Sequence, residues 1–395
     1  AGYRWADDLA ALELVTDPST SKMVVMGAGV DGDFRSRNWN GSSWEQTLTL
    51  HSNPLAGWPL NTNKTYRPFA FSFEKHDIVP PSLTDNQNGD DLWRNSNSAS
   101  YNIDFNDLGG SKLSKFQTQV WNDSSKTTLI DNWQDVVTGI GQDSYSTNWN
   151  LNTQTWNNLQ QGTNYVWVKV LDVAGNSYES SQNLFYVKKD TGVPSIGDNQ
   201  SGDNTWRKTN PGAVYDVDFA DSLSKLDKAE YTAYLSTDMA GTPSLSWQTV
   251  FDDLNQPNSL DNWSVLFSSL PSGENYISAR VYDNAGNYSL KKDAFHVRKD
   301  TIVPVVSDLQ SGDTVWQTVS GKTYDIDFSD SHSMLDDAQY MVSSSTNLTG
   351  DVLGWNYIFI NQSTASYAQN WSLDFNALKE NTTNWVSVRC FDVAQ

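Results

Sequence analysis

The residues of this 395-residue chain best placed to do chemistry are its aspartates, which recur in fixed settings. The loop Asp85-Asn86-Gln87-Asn88-Gly89-Asp90-Asp91-Leu92-Trp93 returns from Asp198 to Trp206 and again from Asp308 to Trp316, with its tryptophans 113 and 110 residues apart. In a second setting, Asp172 and Asp283 each begin an Asp-x-Ala-Gly-Asn loop. Hard oxygen ligands beside a glycine that lets backbone carbonyls turn inward are what calcium requires. Asp85, Asp90, Asp91, Asp172, Asp198, Asp203, Asp283, Asp308 and Asp313 are therefore the candidate metal ligands, and calcium is the cofactor the sequence suggests. The same Asp, Asn and Gly residues also build turns and cap strands. No loop follows EF-hand spacing, so both readings stay open.

Other chemistry finds little support. A single cysteine, Cys390, excludes a disulfide framework and a multi-cysteine zinc site. His51, His76, His296 and His332 stand in unrelated contexts, and none heads a triad-like motif. No feature selects two carboxylates for glycoside hydrolysis, and no phosphate-binding glycine loop is present. No catalytic residue is assigned, and the chain reads as no enzyme. With 26 basic and 47 acidic residues its formal net charge is -21, which argues against nucleic acid as a partner. No apolar run approaches the roughly 18–20 residues of a helical membrane span.

Positioning falls to a repeat. An aromatic followed by Asp-x-Asp-Phe-x-Asp spans residues 101–107, 215–221 and 324–330, with Asn102 in place of the first aspartate in the first copy, and Asn-Trp recurs at Trp149, Trp263 and Trp371. A late strand, residues 168–176, returns at 279–287 and begins again at 388–394. Within each copy, alternating segments such as 101–105 and 165–170 read as strands separated by Asn-, Asp-, Ser- and Gly-rich turns. About seven short strands in each copy suit a two-sheet antiparallel sandwich. The fold class expected is all-β: tandem Ig-like sandwiches, beads on a string, joined at Val79-Pro80, Val193-Pro194 and Val303-Pro304. The expected modules are residues 78–190, 191–300 and 301–395, the last lacking an equivalent of 185–189. That reads as a window cut from a longer protein, with donation of a strand by a neighbouring chain as the alternative. Residues 222–231 could hold one short helical turn. The in-register tryptophans, Trp93 with Trp206 and Trp316, and Trp133 with Trp247 and Trp355, read as shared core. Cys390 aligns with Val170 and Val281 and reads as a packed thiol.

The Asp-x-Ala-Gly-Asn strand, followed by Phe185-Tyr186-Val187-Lys188-Lys189-Asp190-Thr191 and Pro194, resembles the tandem Ig-like modules of bacterial surface proteins and adhesins. Residues 295–301 with Pro304 match in the same way. The resemblance covers residues 78–395. It implies an extracellular or cell-surface setting, often in long arrays, and says little about a ligand.

Residues 1–77 do not repeat. They read as strands at 11–15, 22–27, 34–39, 45–50 and 66–74, with Asn40-Gly41 as a type I′ hairpin turn. Residues 37–44 look like a blade of a β-propeller, one blade of which cannot close alone. Trp39, Trp44 and Trp58 are the candidate carbohydrate platforms there. The function expected is structural or adhesive: a stalk, fibre or filament segment whose partners are neighbouring copies or a cell-surface glycan. The alternatives are carbohydrate binding through the first segment, or a non-catalytic appendage of an extracellular hydrolase.

Overall fold

Alternation of side chains along two long strands decides where the first core forms. In Gly162–Asp172, Val166, Val168 and Val170 are fully buried on one face, while Tyr165, Trp167 and Lys169 point the other way. In Leu113–Trp121, paired antiparallel to it, Leu113, Phe116 and Val120 take the same inward face. Phe185 and Val187 of Phe185–Lys189 extend that face, and Ile103 and Phe105 of Ile103–Asn106 close it from a second sheet.

This arrangement comes from a computed structural model. It describes residues 9–16, 23–29, 34–40, 42–46 and 48–51, and residues 77–395 except 88, 89, 201, 311 and 313. The larger sheet of the first sandwich runs Trp93–Arg94, Phe185–Lys189, Gly162–Asp172, Leu113–Trp121, Leu129–Thr138, with Ser177–Glu179 added beside Gly162–Asp172. The smaller runs Ser144–Tyr145, Ile103–Asn106, Ser82–Asp85. A second sandwich repeats both sheets: Asp203–Arg207, Tyr288–Lys299, Gly273–Asp283, Leu226–Tyr234, Leu245–Phe251 against Ser195–Asp198, Val217–Ala220, Asn258–Ser259. A third keeps the small sheet, Val305–Asp308, Ile326–Ser329, Ser366–Tyr367, and a large sheet of Asp351–Phe359, Leu335–Ser343, Trp385–Asp392. The protein is thus all-β, a tandem of sandwiches, each with its own apolar core and antiparallel except where Trp93–Arg94 and Asp203–Arg207 pair parallel to Phe185–Lys189 and Tyr288–Lys299.

The tryptophans divide by the face they occupy. Trp149, Trp263 and Trp371 are core residues, each bridged to the tyrosine that opens the small sheet: Tyr101, Tyr215 and Tyr324. The other two sets are not core, contrary to the sequence reading. Trp133, Trp247 and Trp355 lie on the outer face of the large sheet, under Lys169 at 4.2 Å, Arg280 at 4.0 Å and Arg389 at 4.1 Å. Trp93 and Trp206 are half-buried near Lys188 and Arg298, and Trp316 is 72% exposed. All of these tryptophans except Trp316 therefore repeat with a cation over the ring rather than with a place inside.

The helical turn expected within 222–231 is instead a tight loop followed by strand Leu226–Tyr234. Asp221 Oδ2 accepts the N–H groups of Leu223 and Lys225 there, and local side-chain acceptors of this kind compete with helix. Helical turns form at Thr153–Asn158, Phe267–Ser269 and Phe375–Ala377.

In the first segment, Leu9–Thr16, Met23–Gly29, Phe34–Trp39 and Leu48–His51 form a four-stranded antiparallel meander in chain order. The expected strand at 66–74 lies outside the described residues. A hairpin does form at Asn40, but its loop is four residues long: Trp39 pairs with Trp44, and Asn40 Oδ1 accepts the N–H groups of Ser42 and Ser43. The Asn40 side chain thus takes the place of a type I′ backbone turn.

Candidate metal centres at the joints

The residue that leaves each sandwich is an aspartate. Asp190 follows strand Phe185–Lys189, and its N–H donates to the Arg94 carbonyl at 3.0 Å, tying its backbone to the first sandwich. Its carboxylate faces the second: Oδ2 accepts the Ser224 N–H at 3.0 Å and Oδ1 the Gly192 N–H at 2.9 Å. Asp300 repeats every bond, with Arg207, Ser333 and Ile302. Asp77 likewise accepts the Ser111 N–H at 3.0 Å.

Two loops of the following sandwich complete the site. In the first, Asp221 Oδ2 accepts the Lys225 N–H at 2.7 Å, Lys225 holds a left-handed φ of 70°, and the adjacent Ser224 N–H donates to Asp190. Lys112 at 75° and Met334 at 76° do the same beside Asp107 and Asp330. The second loop is Asp-x-Ala-Gly-Asn: Asp283 Oδ1 accepts the Asn287 N–H and Oδ2 its side-chain amide, both at 2.8 Å, and that amide also reaches the Asp190 carbonyl at 3.1 Å. Asn176 bonds Asp172 and the Asp77 carbonyl in the same way.

Three clusters result, Asp77/Asp107/Asp172, Asp190/Asp221/Asp283 and Asp300/Asp330/Asp392, each able to bring three carboxylate oxygens within 4.8 Å of one another. All six aspartates of the latter two are buried, and none forms an ion pair with Lys, Arg or His among the described residues. Like charges held this close out of water repel strongly. Burial pushes the Asp283 carboxyl above the ordinary aspartate range, and Asp190 and Asp221 push further in that direction against the Asn287 hydrogen bonds. Burial does the same to Asp392, with Asp300 and Asp330 adding to it. Asp330, 4% exposed, also keeps its Oδ1 buried without any hydrogen-bond donor among the described residues. An all-oxygen donor set with an unsatisfied buried carboxylate oxygen fits a hard divalent cation and no soft one.

Of the aspartates singled out by sequence, the structure brings only Asp172 and Asp283 into these clusters. The others work in the tryptophan loop. Asp85, Asp198 and Asp308 accept the N–H groups of Gln87, Gln200 and Gln310, and Asp198 also faces Lys291. Asp90 and Asp203 pair with Arg94 and Arg207, both at 2.7 Å. Asp91 meets Lys188 and Tyr186, and Asp313 lies outside the described residues. Sequence reasoning passed over Asp77, Asp107, Asp190, Asp221, Asp300, Asp330 and Asp392. The signal was present: residues 77, 190 and 300 keep the repeat spacing, and 107, 221 and 330 end the Asp-Phe-x-Asp part of the second anchor. A fourth group, Asp227/Asp252/Asp253, is more exposed and does not repeat.

Elsewhere the structure gives less. Trp39 and Trp44 are half-buried and meet edge to face at 5.4 Å; Trp58 lies outside the described residues. An open depression of 650 Å³ is lined by Tyr231, Gln248, Leu266 and Lys299, and the Lys299 ammonium there is held by the carbonyls of Phe267, Ser268 and Leu270.

No protein-family model matches the chain, and no curated protein does. Solved structures do. A tetra-tandem repeat from the extending region of a large adhesion protein is 12% identical, covers 97% of this chain and 99% of its own, and has a TM-score of 0.26. A calcium-stabilised adhesin that helps an Antarctic bacterium bind ice is 11% identical over 96% of this chain and 95% of its own, with a TM-score of 0.33. Fibronectin(III)-like modules of Clostridium thermocellum CbhA are 12% identical over 55% and 95%, with a TM-score of 0.25. Scores this low carry no weight by themselves; the sandwich assignment stands on strand order and register.

Proposed function

We propose that the chain is a non-catalytic spacer of an extracellular bacterial surface protein, built of sandwich modules over residues 78–190, 191–300 and 301–395. Calcium bound at the aspartate clusters fixes each joint. The observation that carries this reading is the threefold recurrence of one cluster, made each time from an aspartate on the connecting segment and two from loops of the following sandwich. A cation there would be held by Asp190, Asp221 and Asp283, or their counterparts, and would supply the positive charge the carboxylates lack. The joint would then resist bending because its ligands come from three separate segments.

Small-angle scattering and calorimetry in calcium and in chelator test the proposal. Calcium is expected to raise the melting temperature and to give a longer, stiffer particle. Identical melting and scattering in both conditions would remove it. At free calcium a hundredfold above the dissociation constant, each site adds about 2.7 kcal/mol.

A second reading, glycan binding at the first segment, draws on the Trp39–Trp44 pair, since a sugar ring stacks on an aromatic face. A glycan array with Trp39→Ala as control tests it; equal signal from the two proteins would exclude Trp39.

A further inference from the structure

The segment that follows the core tryptophan differs in length between the first two sandwiches. Leu159 follows Trp149 by ten residues, and the segment between them includes the helical turn Thr153–Asn158, whose Trp156 is buried. Leu270 follows Trp263 by only seven, with Phe267–Ser269 as the turn. Both segments hold the same lysine. Lys189 inserts its ammonium among the carbonyls of Trp156, Asn157 and Leu159; Lys299 does so among those of Phe267, Ser268 and Leu270. The shorter segment is anchored by Tyr231, whose Oη accepts the Leu266 N–H at 2.6 Å, where the matching strand of the first sandwich has Thr118. Beside the shorter segment lies the open depression of 650 Å³.

The walls of the depression differ from the rest of the chain. No aspartate or glutamate lines them among the described residues, although acids outnumber bases 47 to 26 overall. The exposed Lys208 ammonium at its rim forms no ion pair among the described residues. The hydroxyls of Thr249 and Ser264 likewise make no hydrogen bond there. Asn210 Oδ1 accepts the Gly212 N–H, which leaves its amide free to donate. Gln248 Nε2 donates to the Ser246 and Trp247 carbonyls, which leaves its Oε1 free to accept. Leu266, 44% exposed, adds an apolar surface. In the first sandwich the matching polar groups are spent on its own backbone: Asn97 donates to the Leu151 carbonyl and Asn150 to that of Ala99.

We propose that this depression binds an acidic pyranose, a hexuronate, with its carboxylate against Lys208, its hydroxyls against the free amide and hydroxyl groups, and its apolar face against Leu266. The volume is that of a small-ligand pocket with a few converging polar groups. A sugar ring matches such walls because it presents donors and acceptors around an apolar face. The unpaired lysine then selects a ring that bears a carboxylate, since a hydrogen bond between two ionised groups is the stronger kind. In the first sandwich Asn95 stands at the place of Lys208, and a helical turn at that of the short segment. The site is therefore assigned to the second sandwich alone, apart from the aspartate clusters and from the Trp39–Trp44 pair.

The test uses the full chain in chelator, which separates a carboxylate held by lysine from one bridged by calcium. Saturation-transfer NMR with galacturonate is expected to show saturable binding, and galactose should bind more weakly. Tighter binding of a trigalacturonide would assign the site to a residue within a polymer, and equal or weaker binding to the free sugar acid. Lys208→Gln should weaken galacturonate roughly fivefold and leave galactose unchanged. Ser264→Trp, a bulky side chain at an exposed position of the depression, should abolish binding of both sugars at an unchanged melting temperature. No saturable binding, equal affinity for the two sugars, or unchanged galacturonate binding in either variant would each overturn the proposal. Loss of binding in Trp39→Ala would move the site to the first segment, and tighter binding of tetra-aspartate than of galacturonate would replace the sugar by an acidic peptide; both would overturn it as well.

Discussion

Asp190 and Ser224 are bound across a joint: the aspartate's N–H is tied to the first sandwich through Arg94, and its Oδ2 accepts the Ser224 N–H in the second at 3.0 Å. One residue therefore serves as a mechanical tie and as one of three crowded carboxylates. The two roles separate by substitution. Asp190→Asn keeps one oxygen for the Ser224 N–H and gives up the acceptor of the Gly192 N–H, but it removes a charge from the cluster, so its melting temperature in chelator should stay close to that of the parent. Its calcium response at that joint should vanish, and the calcium bound per chain, read by titration, should fall by one. Asp190→Ala loses the acceptor as well and should melt lower in both conditions, by about 1–2 kcal/mol. A full calcium response in Asp190→Asn would remove Asp190 from the site.

The tryptophans that share the repeat spacing should differ sharply when truncated. Trp263→Ala opens the middle of an aromatic cluster with Tyr215, Tyr231 and Phe295 and should cost about 3–5 kcal/mol. Trp247→Ala loses a half-exposed ring under Arg280 and should cost about 1 kcal/mol. Urea midpoints of the two variants decide this, and equal losses would show that the outer ring supports the core.

That contrast marks what sequence could and could not reveal. Spacing located all three copies, and strand alternation placed Val166, Val168 and Val170 together on an inner face. Recurrence alone could not choose a face for Trp133 or Trp247. The choice depends on whether Lys169 or Arg280 stands across the intervening strand, Leu113–Trp121 or Leu226–Tyr234, which is a matter of register in two successive pairings. The metal clusters were half legible for the same reason. Asp172 and Asp283 stand out beside their glycines, but Asp190 and Asp221 meet them only when a connecting segment and two loops converge in space.

Two buried tyrosines predict opposite outcomes from one substitution. Tyr231 Oη accepts the Leu266 N–H at 2.6 Å, and Tyr340 does the same for Asp374 at 2.9 Å. Tyr231→Phe should therefore lose about 1–2 kcal/mol by leaving a backbone donor unpaired. Tyr215 Oη is buried with no hydrogen-bond partner among the described residues. Tyr215→Phe should be neutral or stabilising by up to about 1 kcal/mol, and a loss as large as that of Tyr231→Phe would mean that Oη has a bound partner.

The same hydroxyl sets an alkaline limit. Burial pushes the Tyr215 pKa from 10.0 up to about 12, with Asp203 adding to it. The fold thus favours the protonated phenol, and that preference is fully present below pH 10 and lost as pH rises through 12. Lys189 and Lys299 act in the opposite sense. Burial lowers both below 10.5, so their cost to the fold is present at neutral pH and is relieved as pH rises through the lowered values. Burial also pushes the Cys390 thiol from 9.0 up to about 11, a preference for the protonated form that is lost as pH rises from 9 through 11. Stability should therefore hold or rise slightly only between neutrality and pH 9. Above pH 10 Tyr215 joins Tyr101 and Tyr231, which burial also holds above the ordinary tyrosine range, and stability should fall. Urea midpoints measured from pH 8 to 12 should show a shallower fall in Tyr215→Phe than in the parent, and a parallel fall in both would assign the alkaline loss to other groups.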